Sequence, residues 1–330
     1  MKFPGLKTSR QVARWLCDQI RGGALILGYH RVAHARLNPY SMCVSPEHFA
    51  EQLAVLRAYS CPMSLLELVE LIRERRLPRR AVVLTFDDGY ADFIQAQVLL
   101  ERHHMPATVF VSPAYIGREF WWDELSRILL SPATLPERLS LEIGDRLYQW
   151  AIDSPIHITW NRMPPTPRQR LLLELYGALL PLPLEQRRRA MSQLRAWAGA
   201  DTSADPQCRA LTEDELNQVA TTRLVDVGLH SMTHPFLARL SVTAQQAEIL
   251  QGKAYLEKLS GHDVTTFSYP NGSFSEETTA LVQDAGFFCA CASQSGLAWH
   301  EDHLFRLPRL WVPDWDGATF SRWLHRWLSS

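Results

Sequence analysis

Ala81-Val82-Val83-Leu84-Thr85-Phe86-Asp87-Asp88-Gly89-Tyr90 is a β-leaning apolar run that ends abruptly in two carboxylates and a glycine. An unbroken run of this kind, closed by a turn signal, reads as a parallel strand buried on both faces. Asp87 and Asp88 then sit at its carboxyl end. Neighbouring strand side chains point to opposite faces, so both aspartates can serve one site only if the strand stops there, and Gly89 permits that exit. The layout recurs where Leu224-Val225-Asp226-Val227-Gly228-Leu229 runs into His230-Ser231-Met232-Thr233-His234-Pro235. His234, four residues after His230, falls on the same side if the chain turns helically after the strand. Each segment alone is ordinary, an Asp-Asp-Gly turn or a pair of surface or capping histidines. Together, at the ends of two parallel strands, they offer three ligands for a divalent ion and a spare carboxylate, which is what metal-assisted hydrolysis needs.

Working outward, seven short apolar runs can be counted, at 24–29, 81–87, 107–112, 224–229, 265–269, 287–292 and 304–311. Helical patterns separate most of them. Ser45-Pro46-Glu47-His48 starts one with a cap and an early proline, Ser64 to Arg75 carries Leu65, Leu68, Val69 and Ile72 at helical spacing, and others run through 92–103, 243–260 and 275–285. This alternation predicts an α/β fold, a distorted (β/α)7-type barrel whose strand carboxyl ends carry the chemistry. Between 114 and 223 the alternation stops. Helical patterns at 168–180 and 184–198 and a capping box at Thr212-Glu213-Asp214-Glu215 make this a large helical insertion, either a lid or substrate platform or a packing appendage. Trp121 and Trp122 within it read as core residues before they read as sugar-stacking ones. The expected organisation is therefore 1–113 as the first part of the barrel, 114–223 as the insertion, and 224–330 as the second part with a C-terminal amphipathic helix.

That last helix has Phe320, Trp323, Leu324, Trp327 and Leu328 on one stripe. Closing the barrel is its first expected use; a second is peripheral contact with a membrane surface that brings the protein to a lipid-linked glycan. With 34 Lys and Arg against 35 Asp and Glu, no global field favours nucleic acid. The basic runs Arg73 to Arg80 and Arg187 to Arg189 read as solvated helix ends. Cys17, Cys43, Cys61, Cys208, Cys289 and Cys291 have no C-x-x-C spacing and no disulfide density, so a reducing compartment fits. Met1 to Gly22 lacks the unbroken apolar stretch of a signal peptide, and the expected location is cytoplasmic.

The two motifs resemble those of the polysaccharide deacetylase family, the NodB-homology group similar to carbohydrate esterase family 4. Its T-F-D-D-G motif is matched by Thr85 to Gly89 and its H-[ST]-x-x-H-P motif by His230 to Pro235. The resemblance runs over about 24–113 and 224–312. It implies that Asp87 is the general base and that Asp88, His230 and His234 hold one divalent metal ion, zinc by default. Phe267-Ser268-Tyr269-Pro270-Asn271-Gly272 looks like the third motif, F-R-P-P-Y-G, with Ser268 where the family has an arginine. Tyr269, Pro270 and Asn271 are the candidates there for substrate and oxyanion contacts. Arg309 is the candidate to replace the missing arginine beside Asp87.

The leaving amine needs a proton donor. The family commonly draws it from a late L-x-H motif, but a circularly permuted branch has it near the N-terminus, and Leu27-Gly28-Tyr29-His30-Arg31-Val32 looks like that branch. His30 is the expected acid, with His325 as substitute. The function implied is a metal-dependent hydrolase that removes an N-acyl group, acetyl or formyl, from an amino sugar of a polysaccharide or glycan precursor. The alternatives are an inactive carbohydrate-binding module of the same fold and a metal-dependent phosphoesterase, the latter disfavoured by the lack of a Gly-rich phosphate cradle.

Overall fold

The run at 81–86 forms a middle strand of a curled, parallel sheet. A computed structural model describes residues 23–35, 38–131, 134–144, 146–152, 166–201, 206 and 208–328. In chain order its strands are β1 (Leu25–Tyr29), β2 (Arg31–Val32), β3 (Cys43–Val44), β4 (Cys61–Pro62), β5 (Ala81–Phe86), β6 (Ala107–Val111), β7 (Arg138–Ile143), β8 (Arg146–Ala151), β9 (Val225–Leu229), β10 (Thr266–Ser268), β11 (Cys289–Cys291) and β12 (Leu310–Trp311). The main sheet runs β11-β10-β9-β6-β5-β1-β12, and β4 pairs with β5 off this path. Helices cover it, as in a distorted (β/α) barrel. The segment expected as one strand at 304–311 divides. Its first part bonds β11, with Leu307 N–H donating to Ala290 and Ala292 N–H to Leu307, while Leu310 and Trp311 pair with β1. Arg309 lies at this junction.

Strand alternation sends alternate residues to two different cores. Leu25, Leu27, Val82, Leu84 and Val109 pack with Phe49, Leu53 and Leu100 of flanking helices, while Ile26, Val83, Phe110, Cys289 and Cys291 pack together from the opposite face. The two cysteines therefore pack, as their strand spacing predicts; Cys17 and the whole of Met1 to Gly22 lie outside the described residues.

The insertion is helical as expected, with helices Trp121–Leu130, Pro167–Leu179, Leu184–Ala198 and Glu213–Ala220. It also holds the antiparallel hairpin β7–β8, which the sequence reading did not name; β8 is almost wholly exposed, so it lacks the buried apolar residues that mark a strand. The insertion has a core of its own around Trp121, Trp122, Leu125, Leu172, Leu175, Met191 and Leu194, into which Tyr90 of the barrel projects. Its capping box forms as read, with Glu215 N–H donating to Thr212 Oγ1 and Thr212 N–H to Glu215.

The C-terminal helix Gly317–Leu328 packs on Pro46–Tyr59. Phe320 and Leu324 are fully buried, and Trp323, Trp327 and Leu328 are partly buried against the main core, so the stripe serves barrel closure. No helix among the described residues is long and apolar enough to cross a membrane. Arg187 departs from the solvated helix end expected of it. It is buried, at 3% exposure, and its guanidinium donates to the carbonyl oxygens of Leu179, Leu180 and Leu182.

Candidate metal centre

Parallel register aligns the strand ends. Asp87 N–H donates to Tyr29 O at 2.9 Å, His230 N–H to Val111 O at 2.8 Å and Tyr269 N–H to Cys291 O at 3.2 Å, so the residues that follow β5, β9 and β10 meet on one rim. Asp87 continues the extended chain, but Asp88 and Gly89 both turn left-handed, with φ of 72° and 67°. That reversal brings the second carboxylate back beside the first. A Cβ on Gly89 would come within 2.9 Å of Val111, so glycine is required for space as well as conformation.

The histidine loop does not turn helically as the spacing suggested. Ser231 and His234 are left-handed, with φ of 55° and 57°, and the loop is tied by Glu248, whose carboxylate accepts from Thr233 N–H at 2.7 Å and Thr233 Oγ1 at 2.6 Å. His230 and His234 are nevertheless neighbours, ring centroids 4.9 Å apart. One ligand atom from each of Asp88, His230 and His234 lies within 4.8 Å of the others, all three residues buried. His234 Nε2 is 3.3 Å and His230 Nε2 is 3.6 Å from Asp88 Oδ1. His230 Nδ1 is 2.8 Å from Ser268 O, which fixes the tautomer and leaves Nε2 as the ligand atom. Asp88 Oδ1 is buried with no hydrogen-bond partner among the described residues. A buried carboxylate oxygen left without a donor, facing two imidazole nitrogens, fits a divalent cation. Burial brings His230 down to about 4, which keeps its imidazole neutral and available as a ligand at neutral pH.

Asp87 is held apart from this set. Arg309, fully buried, forks onto it with Nη1 to Oδ1 at 2.7 Å and Nη2 to Oδ2 at 2.8 Å. The same guanidinium donates to Ser268 Oγ at 2.9 Å, to Thr85 Oγ1 at 3.2 Å and to Ala292 O at 3.0 Å, so it is fixed on several sides. Burial pushes the Asp87 carboxyl up, but the Arg309 charge outweighs it and holds Asp87 well below the usual carboxylate range.

His30 follows β1, partly buried, its ring stacked on Trp311 at 4.5 Å and 17°. Burial lowers its pKa, opposed by Asp88 and Asp87, so it stands within electrostatic reach of both aspartates. His325 is elsewhere, exposed on the last helix and packed on Tyr59 at 4.9 Å. Tyr269 is buried with its hydroxyl donating to Phe305 O at 2.9 Å and its N–H to Cys291 O, and Pro270 has no N–H, so of these three residues Asn271, left-handed at φ 55°, keeps a backbone N–H for a ligand.

Several participants were not anticipated. Ser268 was read only as an absent arginine, yet its hydroxyl lies between Asp87 and Arg309 and its carbonyl faces His230. Trp122 packs on His234, centroids 5.0 Å apart, while its Nε1 donates to Tyr90 Oη at 2.7 Å and that hydroxyl donates to Asp123 at 2.6 Å. The adjacency of Tyr90 to the Asp-Asp-Gly turn was the available signal for the first of these links; nothing in sequence pairs 122 with 234.

A family model described as Polysaccharide deacetylase matches residues 74–135 and 191–290. Those blocks contain Asp87, Asp88, His230, His234 and Tyr269 to Asn271, but neither His30 nor Arg309, and they reach into both ends of the insertion. A stretch of 115 residues is 25% identical to a putative polysaccharide deacetylase, YxkH, of Bacillus subtilis, covering 34% of this chain and 41% of that relative. Among solved structures, IcaB from Ammonifex degensii matches with a TM-score of 0.61 at 16% identity, over 94% of this chain and 98% of that one. A Streptococcus pyogenes deacetylase, PplD, solved in complex with acetate, matches with a TM-score of 0.57 at 16% identity, over 92% and 98%. The chain has the polysaccharide deacetylase fold, and its Asp88, His230 and His234 cluster can hold a divalent metal ion.

Proposed function

We propose that this protein is a metal-dependent hydrolase that removes an N-acyl group, acetyl or formyl, from an amino sugar of a polysaccharide or glycan precursor, with zinc as the ion. The observation that carries this reading is the division of labour between two adjacent aspartates: Asp88 faces two imidazole nitrogens with an unpaired oxygen, while Asp87 is forked by Arg309. An inactive binding module has no use for that arrangement. A divalent ion supplies, when bound, Lewis acidity for the acyl carbonyl and for an attacking water. Asp87, kept ionised by Arg309 throughout the neutral range, accepts the proton of that water; the arginine fixes which way its oxygens face. The backbone N–H of Asn271 stabilises charge on the carbonyl oxygen, since Pro270 has none and that of Gly272 is donated to Tyr269 O. His30 gives the leaving nitrogen its proton, its ring held flat by Trp311. The reading includes a reducing compartment, supported by the thiols of Cys43, Cys61, Cys289 and Cys291, which form no disulfide among the described residues.

The test is release of acetate or formate from nucleotide-, lipid- and polymer-linked N-acylated amino sugars, with and without chelator. Chelation and His234→Ala are each expected to abolish turnover, the variant losing its metal as well. Asp87→Asn is expected to keep the metal and lose at least about a hundredfold in rate. Full metal content and turnover in His234→Ala would sink the assignment; parallel loss of metal and rate in Asp87→Asn would mean the two aspartates had exchanged roles.

A further inference from the structure

Beside the metal residues, a cavity of about 320 Å³ opens between the insertion's helices Trp121–Leu130 and Leu184–Ala198 and the turn Pro113–Tyr115. Its volume is that of a small-molecule site. Four arginines line it, Arg118, Arg187, Arg188 and Arg195, against two carboxylates, Glu119 and Glu124. Both carboxylates are already engaged, Glu119 by Arg127 at 2.9 Å and Glu124 by Arg195 at 2.8 Å, and Arg188 pairs with Glu185 at 2.9 Å, so Arg118 and Arg187 are the lining cations with no carboxylate partner among the described residues. Arg187 is different. It is buried, it donates to the carbonyl oxygens of Leu179, Leu180 and Leu182 at the C-terminal end of helix Pro167–Leu179, and no carboxylate pairs with it among the described residues. A buried cation without a counterion is costly, and an anion entering the cavity offsets that cost.

A second observation points the same way. Trp121 lines the cavity at 6% exposure, and its Nε1–H is buried with no hydrogen-bond partner among the described residues. A buried indole N–H normally finds an acceptor. Its own ring is stacked on Tyr176 at 5.4 Å and capped by Arg187 at 5.0 Å, so the aromatic surface is rigidly placed. The wall therefore offers donors and positive charge in excess of acceptors. Trp122 links it to the metal residues: its ring is 6.1 Å from that of Tyr115, which lines the cavity, and 5.0 Å from that of His234.

We propose that this cavity binds an anionic group, a phosphate or carboxylate, carried by the same molecule whose acyl group faces the metal residues, so that the hydrolase prefers an acidic or phosphorylated amino sugar to a neutral one. This rests on the hydrolase reading for what occupies the metal side. The insertion is then a substrate platform and not only a packing appendage.

The experiment uses full-length, metal-loaded Asp87→Asn protein, which binds without rapid turnover, titrated calorimetrically with N-acetylglucosamine 1-phosphate, N-acetylglucosamine and inorganic phosphate. The sugar phosphate is expected to bind at least about tenfold more tightly than either of the other two. That advantage should disappear in Trp121→Phe, which keeps the ring and removes the donor, and in the exposed pair Arg118→Ala and Arg188→Ala, whose folding is checked by an unchanged melting midpoint. Equal affinity for charged and neutral sugar, or an advantage that survives in both variants, would overturn the proposal. Inorganic phosphate bound as tightly as the sugar phosphate would overturn it too, since the site would then take a free anion. Because binding and not turnover is read, a protein that hydrolyses no acylated sugar could still pass this test, and a hydrolase could fail it.

Discussion

At the scale of single residues, the site is built from backbone conformations that side chains other than glycine adopt reluctantly. Asp88 and His234, two of the three candidate metal ligands, are both left-handed, and each such position costs on the order of 1–3 kcal/mol unless the surroundings hold it. Glu248 holds the histidine loop and the Asp87 and Tyr90 ends hold the other. Trp311 does similar work for His30. It lies so close to β1 that a Cβ on Gly28 would come within 2.7 Å of its ring. If His30 protonates the leaving amine, His30→Ala should retain metal and fold and lose about a hundredfold or more on an amide, yet much less on an activated aryl ester, whose leaving group needs no proton. Equal losses on the two substrates, measured side by side, would remove His30 from the mechanism.

At the scale of elements, the structure spends polar groups across elements that the sequence suggested were spent locally. Ser45 was read as the cap of helix Pro46–Tyr59, but its Oγ donates to Asp314 at 2.9 Å and His48 Nδ1 lies 2.7 Å from the same oxygen, so the helix start is pinned to the loop before the last helix. The helix Trp121–Leu130 is joined to the barrel by the chain Asp123, Tyr90, Trp122, with Arg31 3.9 Å from Asp123 and over the Tyr90 ring. Burial pushes the Asp123 carboxyl up to about 7 from its ordinary 3.8. Between those two values the folded chain keeps a proton that the unfolded chain has released. This contribution to stability is therefore intact below about pH 4 and declines as pH rises towards 7, by up to a few kcal/mol. Asp123→Asn removes the titration while keeping an oxygen for Tyr90. Its stability relative to the unsubstituted protein is expected to rise between pH 5 and pH 8 in denaturant titrations; a constant difference across that range would show that Asp123 is ionised in the folded state throughout.

At the scale of the whole molecule, the proposed metal site would couple ion binding to folding, because its three candidate ligands come from 88, 230 and 234 and meet only when β5 and β9 lie in one sheet. An ion that binds only the folded chain stabilises it by about 2.7 kcal/mol when present at a hundred times its dissociation constant. Chelator is expected to lower the melting midpoint of the unsubstituted protein and to leave that of His234→Ala where it is. A midpoint indifferent to chelator in the metal-loaded protein would argue against an ion at these residues. The same long-range assembly explains the barrel's closure, in which the 304–311 segment bonds β11 and then β1 and delivers Arg309 to Asp87 on the way.

Much of this was legible in the sequence, for a physical reason. Buried parallel strands are continuous apolar runs, so six of the seven counted lie at nearly their observed positions, the run at 304–311 dividing to leave Leu310–Trp311 as its strand, and a strand that ends in Asp-Asp-Gly or in histidine announces chemistry at its carboxyl end whatever surrounds it. Local chemistry also specified the Thr212 capping box and the packing role of Cys289 and Cys291. The sequence could not reveal what depends on closing distance between segments far apart in the chain. Ser268 looked like a loss until Arg309, from a different strand, was seen to occupy the space beside it and grip Asp87. Arg187 looked like one cation in a solvated run until folding buried it against Trp121 and set a positively lined cavity beside the metal residues. Spacing placed His234 on a helical turn, and the tertiary contact with Glu248 imposed a left-handed loop instead. Periodicity and turn chemistry act over a few residues and survive in the linear chain; charge pairing, close approach and desolvation between distant segments exist only once the sheet has curled and brought those segments together.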